Sequence, residues 1–281
     1  MKLSRAFAAI LLLIFTNTYA WNDTGHMLVA SIAYTKLKPD VRTKIDRLVK
    51  SLREEYPAIN SMAQMAVWPD QLRAQHIIMF THWHYIDQPI YRDGIKYADT
   101  IDDDNAVWAL ENIKSVINNE HANVYERARM LAFLVHITGD IHQPLHTVTL
   151  VSNKFPEGDH GGNDYHISYH GKNIKLHKLW DGGVGAFVSN GHATRHLAAV
   201  EDQAEAITAR YPVGYFAERL KFATVQDWVK ESYGLATQYV YTTEENKAPS
   251  AAYLETGKRI SEEQVALAGY RLANLLNQLL E

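Results

Sequence analysis

Residues 133–146, Phe133-Leu-Val-His136-Ile-Thr-Gly-Asp140-Ile-His142-Gln-Pro-Leu-His146, set metal-type ligands within an apolar run. His136 and Asp140 are four residues apart, so on a helix both project from one face. His146 lies beyond Pro144, which should end or bend that helix. Neutral imidazole plus carboxylate is a zinc-type ligand set. A single buried His–Asp pair could simply bond to itself. The same His-x-x-x-Asp spacing at His177 and Asp181 favours metal.

The chain has fourteen histidines and no cysteine. The missing thiols exclude thiolate zinc sites, cysteine nucleophiles and disulfides. Trp21, His26, Asp70, His84, His136, Asp140, His146, His177 and Asp181 lie beside apolar or aromatic residues, or in the repeated spacing. His76, His121, His192 and His196 lie in polar or loop contexts and read as surface residues. His82, His142, His160, His166 and His170 are weaker ligand candidates. Of these, His142 is placed to orient a ligand rather than be one.

Helices must do most of the positioning. Residues 26–38 carry Met27, Ala30, Ala33, Tyr34 and Leu37 on one side. Pro39 breaks that pattern, and 40–53 form a second, more charged helix. Residues 60–80 hold Trp68-Pro69-Asp70 and two short helices, and 81–100 read as irregular. Asp102-Asp103-Asp104 precedes a helix at about 105–118, a favourable place for negative charge. Asn123-x-x-Glu126 resembles a capping box opening the helix that carries His136. Residues 151–163 form a loop, and 164–177 form two short strands about a turn at Gly171. Helices follow from His177 and at 196–210, 224–242 and 260–280. The last opens at Ser261-x-x-Gln264, with a stripe of Val265, Ala268, Leu272, Leu275, Leu276 and Leu279. The expected fold class is all-α, a single mainly helical domain with one small β-hairpin.

Residues 1–20 read as a secretory signal. Lys2 and Arg5 are positive, Ala6–Phe15 is apolar but too short to span a bilayer, and Thr18-Tyr19-Ala20 is a small-x-small cleavage site. Residues 21–281 are then the mature domain, expected to be soluble and exported to the periplasm or beyond. Losing Lys2 and Arg5 takes the formal charge from −4 to −6. Nucleic-acid binders usually carry the opposite sign. Three zinc ions would bring the sum to about zero and supply the positive charge a phosphate ligand needs.

The motifs Trp21-x-x-x-Gly25-His26, Trp68-x-Asp70-x-x-Arg73, His84-Tyr85-Ile86-Asp87, His136-x-x-Gly139-Asp140-Ile141-His142-Gln143-Pro144-Leu145-His146, Gly161-Gly162-Asn163, Leu176-His177-x-x-Trp180-Asp181 and Trp228-x-x-Glu231-Ser232 occur in that order. Together they resemble the three-zinc, single-strand-preferring nucleases of fungi, plants and bacteria (the nuclease S-one/P-one family). Zinc-dependent bacterial phospholipase C shares that fold. The resemblance covers most of the mature chain and implies three zinc ions. One is held by Asp70, His84, His136 and Asp140. A second is held by His146, His177 and Asp181. The third is held by His26, the amine and carbonyl of Trp21, and a bridging Asp140. Many eukaryotic members carry disulfides, which this chain lacks, and the residue after His84 is often Phe where this chain has Tyr85.

The resemblance also implies a mechanism. Clustered zinc makes hydroxide available near neutral pH, neutralises phosphate and stabilises the leaving oxygen. A hydroxide between the first and third ions attacks phosphorus in line, and the second stabilises the departing 3′-oxygen. Asp70 holds or deprotonates the nucleophile, Arg73 steadies the phosphoryl oxygens, Tyr85 stacks a base, and Asp87 accepts hydrogen bonds from it. The implied substrates are single-stranded DNA and RNA and nucleotides, the products carry 5′-phosphates, and a monomer is expected. Two other readings are weighed. Phospholipase C usually has Glu where this chain has Asp181, and lacks the His84–Asp87 run. A non-catalytic periplasmic zinc-binding protein would expose flexible His-rich tracts, whereas here the ligands are dispersed.

Overall fold

The computed structural model describes residues 21–187 and 196–281. The proposed signal and His192 lie outside the described residues. Ten α-helices and four short strands are described: α1 (Asp23–Thr35), α2 (Pro39–Glu55), α3 (Met62–Met65), α4 (Trp68–Ala74), β1 (Gln88–Tyr91), α5 (Ala106–Asn118), α6 (Val124–Asp140), β2 (Val148–Val151), β3 (His166–Tyr169), β4 (Lys172–Lys175), α7 (Leu176–Asp181), α8 (Leu197–Arg210), α9 (Val225–Gln238) and α10 (Ala251–Leu279). The mainly helical expectation is met.

Local chemistry sets the helix ends. The side chain of Asn22 accepts the Gly25 N–H and starts α1. Asn105 accepts from Val107 and Trp108 and starts α5. Asn123 accepts from Tyr125 and starts α6. Its expected reciprocal partner, Glu126, pairs with Arg129 instead, so this start is a cap without the box. Pro39 occupies the first turn of α2, where its missing N–H costs nothing.

The last helix departs from expectation. It begins at Ala251, where Ser250 caps the Tyr253 N–H. Ser261 and Gln264 have the spacing of a helix start, but both are buried in the helix interior. α1 packs along α10 and is buried through nearly all its length. Gly269 permits that approach, since a Cβ there would lie 2.5 Å from Ile32 and 3.1 Å from the Val29 carbonyl.

Residues 131–152 are buried without a break, which places the His-rich stretch at the centre of the molecule. Phe133 anchors it. Its ring is 5.7 Å from Trp68, 4.8 Å from Phe80 and 5.1 Å from Trp83. Such aromatic pairs each add about 0.5–1.5 kcal/mol beyond area burial. They lock α4 and the 3₁₀ turn Thr81–His84 against α6. Two apolar cores flank this region, one among the helices and a smaller one around Leu145, Leu150, Ile167 and Trp180.

β3 and β4 form the expected hairpin, with left-handed His170 and Gly171 at its turn. β1 and β2 add a parallel pair, β1 within the segment read as irregular and β2 in a stretch assigned no element, with Gln88 opposite Val148 and Tyr91 opposite Val151. The 3₁₀ segment 240–242 also ends α9 earlier than expected, at Gln238.

Candidate metal centre

α6 delivers His136 and Asp140 from its buried face, and the turn 141–143 leads into a 3₁₀ segment carrying His146. α1 delivers His26, α4 Asp70, the turn Thr81–His84 His84, and α7 His177 and Asp181. Three groups could each hold a metal ion: His26–Asp70–His136, His84–His136–Asp140 and His146–His177–Asp181. The first two share His136, so they form one continuous centre. His26 Nε2 is 3.4 Å from Asp140 Oδ1, and Asp140 Oδ2 is 3.2 Å from both His84 Nδ1 and His136 Nε2. Asp70 Oδ1 is 3.8 Å from the same two nitrogens. Eight of the nine expected ligand residues therefore converge. Trp21 packs beside them. Its indole N–H donates to the Gly139 carbonyl, one residue before Asp140, and its ring lies edge-on to Phe187.

The histidines reveal what the centre is built for. His146 Nδ1 donates to the His84 carbonyl at 2.6 Å, and His177 Nδ1 donates to the Gly161 carbonyl at 2.6 Å. A carbonyl only accepts, so each Nδ1 carries a hydrogen. Burial lowers both imidazole pKa values, that of His177 to about 3, so both rings are neutral. Their Nε2 atoms are then bare lone pairs facing each other at 3.1 Å. Two lone pairs at that distance repel unless a cation accepts both. The larger centre shows the same demand. Both nitrogens of His26, Nε2 of His84, Oδ1 of Asp70 and both oxygens of Asp140 are buried without a hydrogen-bond partner among the described residues. Leaving such groups unsatisfied is costly, and a metal ion among them would satisfy the Asp70 and Asp140 oxygens and Nε2 of His26, while the nitrogen of each ring that faces away from the centre keeps its own demand.

The charge balance agrees. Burial opposes charge at His136, but Asp140 and Asp70 override it and push its pKa up to about 9. Burial also opposes charge at Asp140, yet His136 and His84 hold it well below the usual carboxylate range. Burial raises Asp70 to about 6, and raises Asp181 despite a hydrogen bond from Gln143. Positive charge is stabilised at this point, and a metal ion would compete for it with the His136 proton.

The motif glycines follow from the geometry. Gly161 has φ +61°, and a Cβ there would lie 2.3 Å from the Leu145 carbonyl. Only glycine lets the Gly161 carbonyl reach His177. A Cβ at Gly139 would lie 3.0 Å from His26 Nδ1, and one at Gly25 would lie 2.7 Å from the Trp21 side chain.

A polar bracket behind the centre was hidden in the sequence. His142 is fully buried, donates from Nδ1 to the Thr138 carbonyl, and accepts at Nε2 from Arg271 of α10 at 2.9 Å. Both nitrogens are engaged, so it is not a ligand. Arg271 also donates to Glu231 of α9. Ser232 donates to the Ile141 carbonyl, Gln264 to the His142 carbonyl, and Gln143 to Asp181 Oδ1. The 141–143 turn between Asp140 and His146 is thus held from two helices. The Trp228-x-x-Glu231-Ser232 motif was its one visible trace.

Arg73 Nη1 lies 3.6 Å from Asp70 Oδ1, with its side chain 17 % exposed at the edge of the centre. Tyr85 is half-buried, 6.0 Å ring to ring from His82, which pairs with Asp104. Burial raises the Asp87 carboxyl to about 7, with His160 opposing and Asp159 reinforcing the shift. His76, His121 and His196 are exposed. His160 pairs with Asp164, and His166 and His170 lie on the hairpin, so none of these joins the centre.

A mainly helical fold that gathers eight buried His and Asp side chains into three candidate metal-binding groups defines a protein built around a candidate multi-metal centre. The profile of the S1/P1 nuclease family matches residues 21–281, and the chain belongs to that family. It is similar to Nuclease S1 of Aspergillus oryzae, 27 % identical over 280 residues covering 92 % of each chain. It is 25 % identical to Endonuclease 4 of Arabidopsis thaliana, covering 99 % of this chain and 96 % of the relative. Nuclease P1 of Penicillium citrinum is also 25 % identical, with 92 % and 97 % covered. Membership makes the chain a nuclease, a hydrolase of phosphodiester bonds. No helix among the described residues is long and apolar enough to cross a membrane.

Proposed function

We propose that residues 21–281 form one exported domain that binds three zinc ions and cleaves single-stranded DNA and RNA, and removes the phosphate of 3′-nucleotides. The facing lone pairs of His146 and His177 carry the metal part of this reading. The donor set, imidazole and carboxylate without thiolate, suits zinc. When bound, the metals would neutralise phosphate and make water nucleophilic near neutral pH. Asp70, His84, His136 and Asp140 would hold one ion and His146, His177 and Asp181 another. His26, Trp21 and a shared Asp140 would hold the third.

The chain's own groups supply the rest. Asp70, buried with its Oδ1 unpartnered, is the carboxylate placed to hold the attacking water or take its proton. Arg73 beside it steadies the phosphoryl oxygens. Tyr85 stacks a base at the centre's rim, and Asp87 bonds its polar edge. Stacking on an aromatic ring favours strands whose bases are already free. Products carry 5′-phosphates.

The test combines zinc content by native mass spectrometry with assays on single-stranded DNA, RNA, 3′-AMP and phosphatidylcholine, each with and without chelator. Three zincs per chain and chelator-sensitive release of 5′-phosphorylated products are expected. Hydrolysis of phosphatidylcholine alone would assign a phospholipase C, and zinc binding without hydrolysis would assign a binding protein. Sequencing the exported protein from its N-terminus should read Trp21 first.

A further inference from the structure

The segment from Asp70 to His84 arches out of the buried centre and returns to it. Asp70 is 2 % exposed and the Arg73 side chain 17 %. Ile77 is 36 % exposed, Ile78 70 % and Met79 72 %. The His82 side chain is 44 % exposed and His84 0 %. Ile78 and Met79 therefore form the tip of a loop whose two feet stand in the metal centre. Both feet carry residues of the catalytic constellation.

The tip is held rigidly. The His76 N–H donates to the Arg73 carbonyl and the Ile77 N–H to the Leu72 carbonyl. The left-handed His76, φ +63°, turns the chain outward. Thr81 donates to the Ile78 carbonyl from both its N–H and its hydroxyl, at 3.0 and 2.7 Å. Phe80, directly after Met79, is wedged 4.8 Å from the rings of both Trp83 and Phe133. The backbone on both sides of the tip is thus held, and two adjacent large apolar side chains stand in solvent, where they gain nothing for the fold. Such exposure marks a contact surface.

Continuity with the active site selects the occupant. A single strand lying across the centre puts one phosphate on the metals and Arg73, while the bases of neighbouring nucleotides keep apolar faces in water. Ile and Met are among the side chains that proteins wedge against base faces, at an unstacking cost in a duplex that an unpaired base does not carry. In a duplex those faces are hidden. We propose that Ile78 and Met79 form an apolar wedge at the lip of the active site, against which an unpaired base next to the scissile nucleotide packs. The wedge gives the enzyme grip on strands longer than one nucleotide and adds to its discrimination against duplex. This proposal rests on the single-strand nuclease reading above.

The test compares the wild-type holoenzyme with an Ile78→Ser/Met79→Ser double variant and an Ile78→Leu/Met79→Leu rescue variant. The substrates are 3′-AMP, which has no neighbouring base, and a short oligothymidylate. The serine variant should lose about tenfold in kcat/KM on the oligonucleotide, through KM, the size expected when an apolar side chain loses its burial. Its rate on 3′-AMP, zinc content and melting temperature should be unchanged, and the leucine variant should behave as wild type. Equal losses on both substrates, or no loss on either, overturn the wedge while leaving the nuclease reading standing. A wild type inactive on both substrates overturns both. A serine variant that changes sedimentation or vesicle binding instead of oligonucleotide KM assigns the tip to a second copy of the chain or to lipid, and overturns the wedge.

Discussion

Tyr85 is half-buried, and its proposed role of stacking a base can be tested apart from metal binding. Tyr85→Ala should slow cleavage of single strands and nucleotides about 5- to 150-fold, the equivalent of one lost base stack. A small phosphodiester without a base should be cleaved as before; equal losses on the two substrates would make Tyr85 a packing residue. At Asp87 the raised pKa predicts a pH effect on stability. Its carboxyl titrates near 7 in the folded chain against an ordinary value of 3.8. Between those values the folded state holds the proton more tightly than the unfolded state. Its contribution is fully present below about pH 3.8 and is lost as the pH rises through about 7. Asp87→Asn should therefore melt higher than wild type at about pH 8 and no higher at about pH 4. Calorimetric melts that track wild type across that range would refute the assignment. Trp21 offers a third test. A free amine there can lose its proton to zinc, whereas an amide cannot. A Gly-Ser extension ahead of Trp21 should remove about one zinc and most of the activity. Equal zinc content with the extension intact would overturn Trp21 as a ligand.

Between elements, the bracket behind the 141–143 turn should govern stability as well as geometry. Arg271→Met leaves the His142 acceptor and the Glu231 carboxylate without their shared donor. Glu231 keeps its pairing with Arg219, so what is lost is a set of buried charged hydrogen bonds, about 1.5–3 kcal/mol. Denaturant unfolding should show that loss with or without metal, and a loss below about 0.5 kcal/mol, the level of a surface substitution, would show that the bracket is not needed. The His-x-x-x-Asp spacing repeats the period of a helix and marked His136, Asp140, His177 and Asp181 as candidates, whereas His26, Asp70 and His84 share no such period and were assigned through the family resemblance; Gly171 marked the turn of the β3–β4 hairpin. It misplaced the start of α10 because Ser261-x-x-Gln264 and Ser250 both have cap chemistry, and only burial separates them. The β1–β2 pair left no local trace, since four-residue strands carry little periodicity and their partner lies far along the chain. His142 looked ambiguous because its partner, Arg271, is 129 residues away.

At the scale of the whole molecule the centre draws on residues from His26 to Asp181, so metal should also tie the helices together. Structural zinc is worth roughly 10 kcal/mol or more in small domains. Verified removal of zinc should abolish activity and lower the melting temperature by many degrees; an unchanged melt would show that the fold is independent of the metals. The parallel β1–β2 pair has a consequence for the order of events in folding. It lies where the His84 and His146 segments meet, with the Ile86 N–H on the His146 carbonyl and the His146 ring on the His84 carbonyl, 62 residues away. Closing so long a loop is entropically uphill, and non-local pairing of this kind is slow. The candidate ligand segments are therefore expected to come together late on the folding route, after α5 and α6 have docked. Zinc present from the start should leave the refolding rate unchanged in stopped-flow traces and slow unfolding instead, acting as a latch that closes after assembly rather than a seed that begins it.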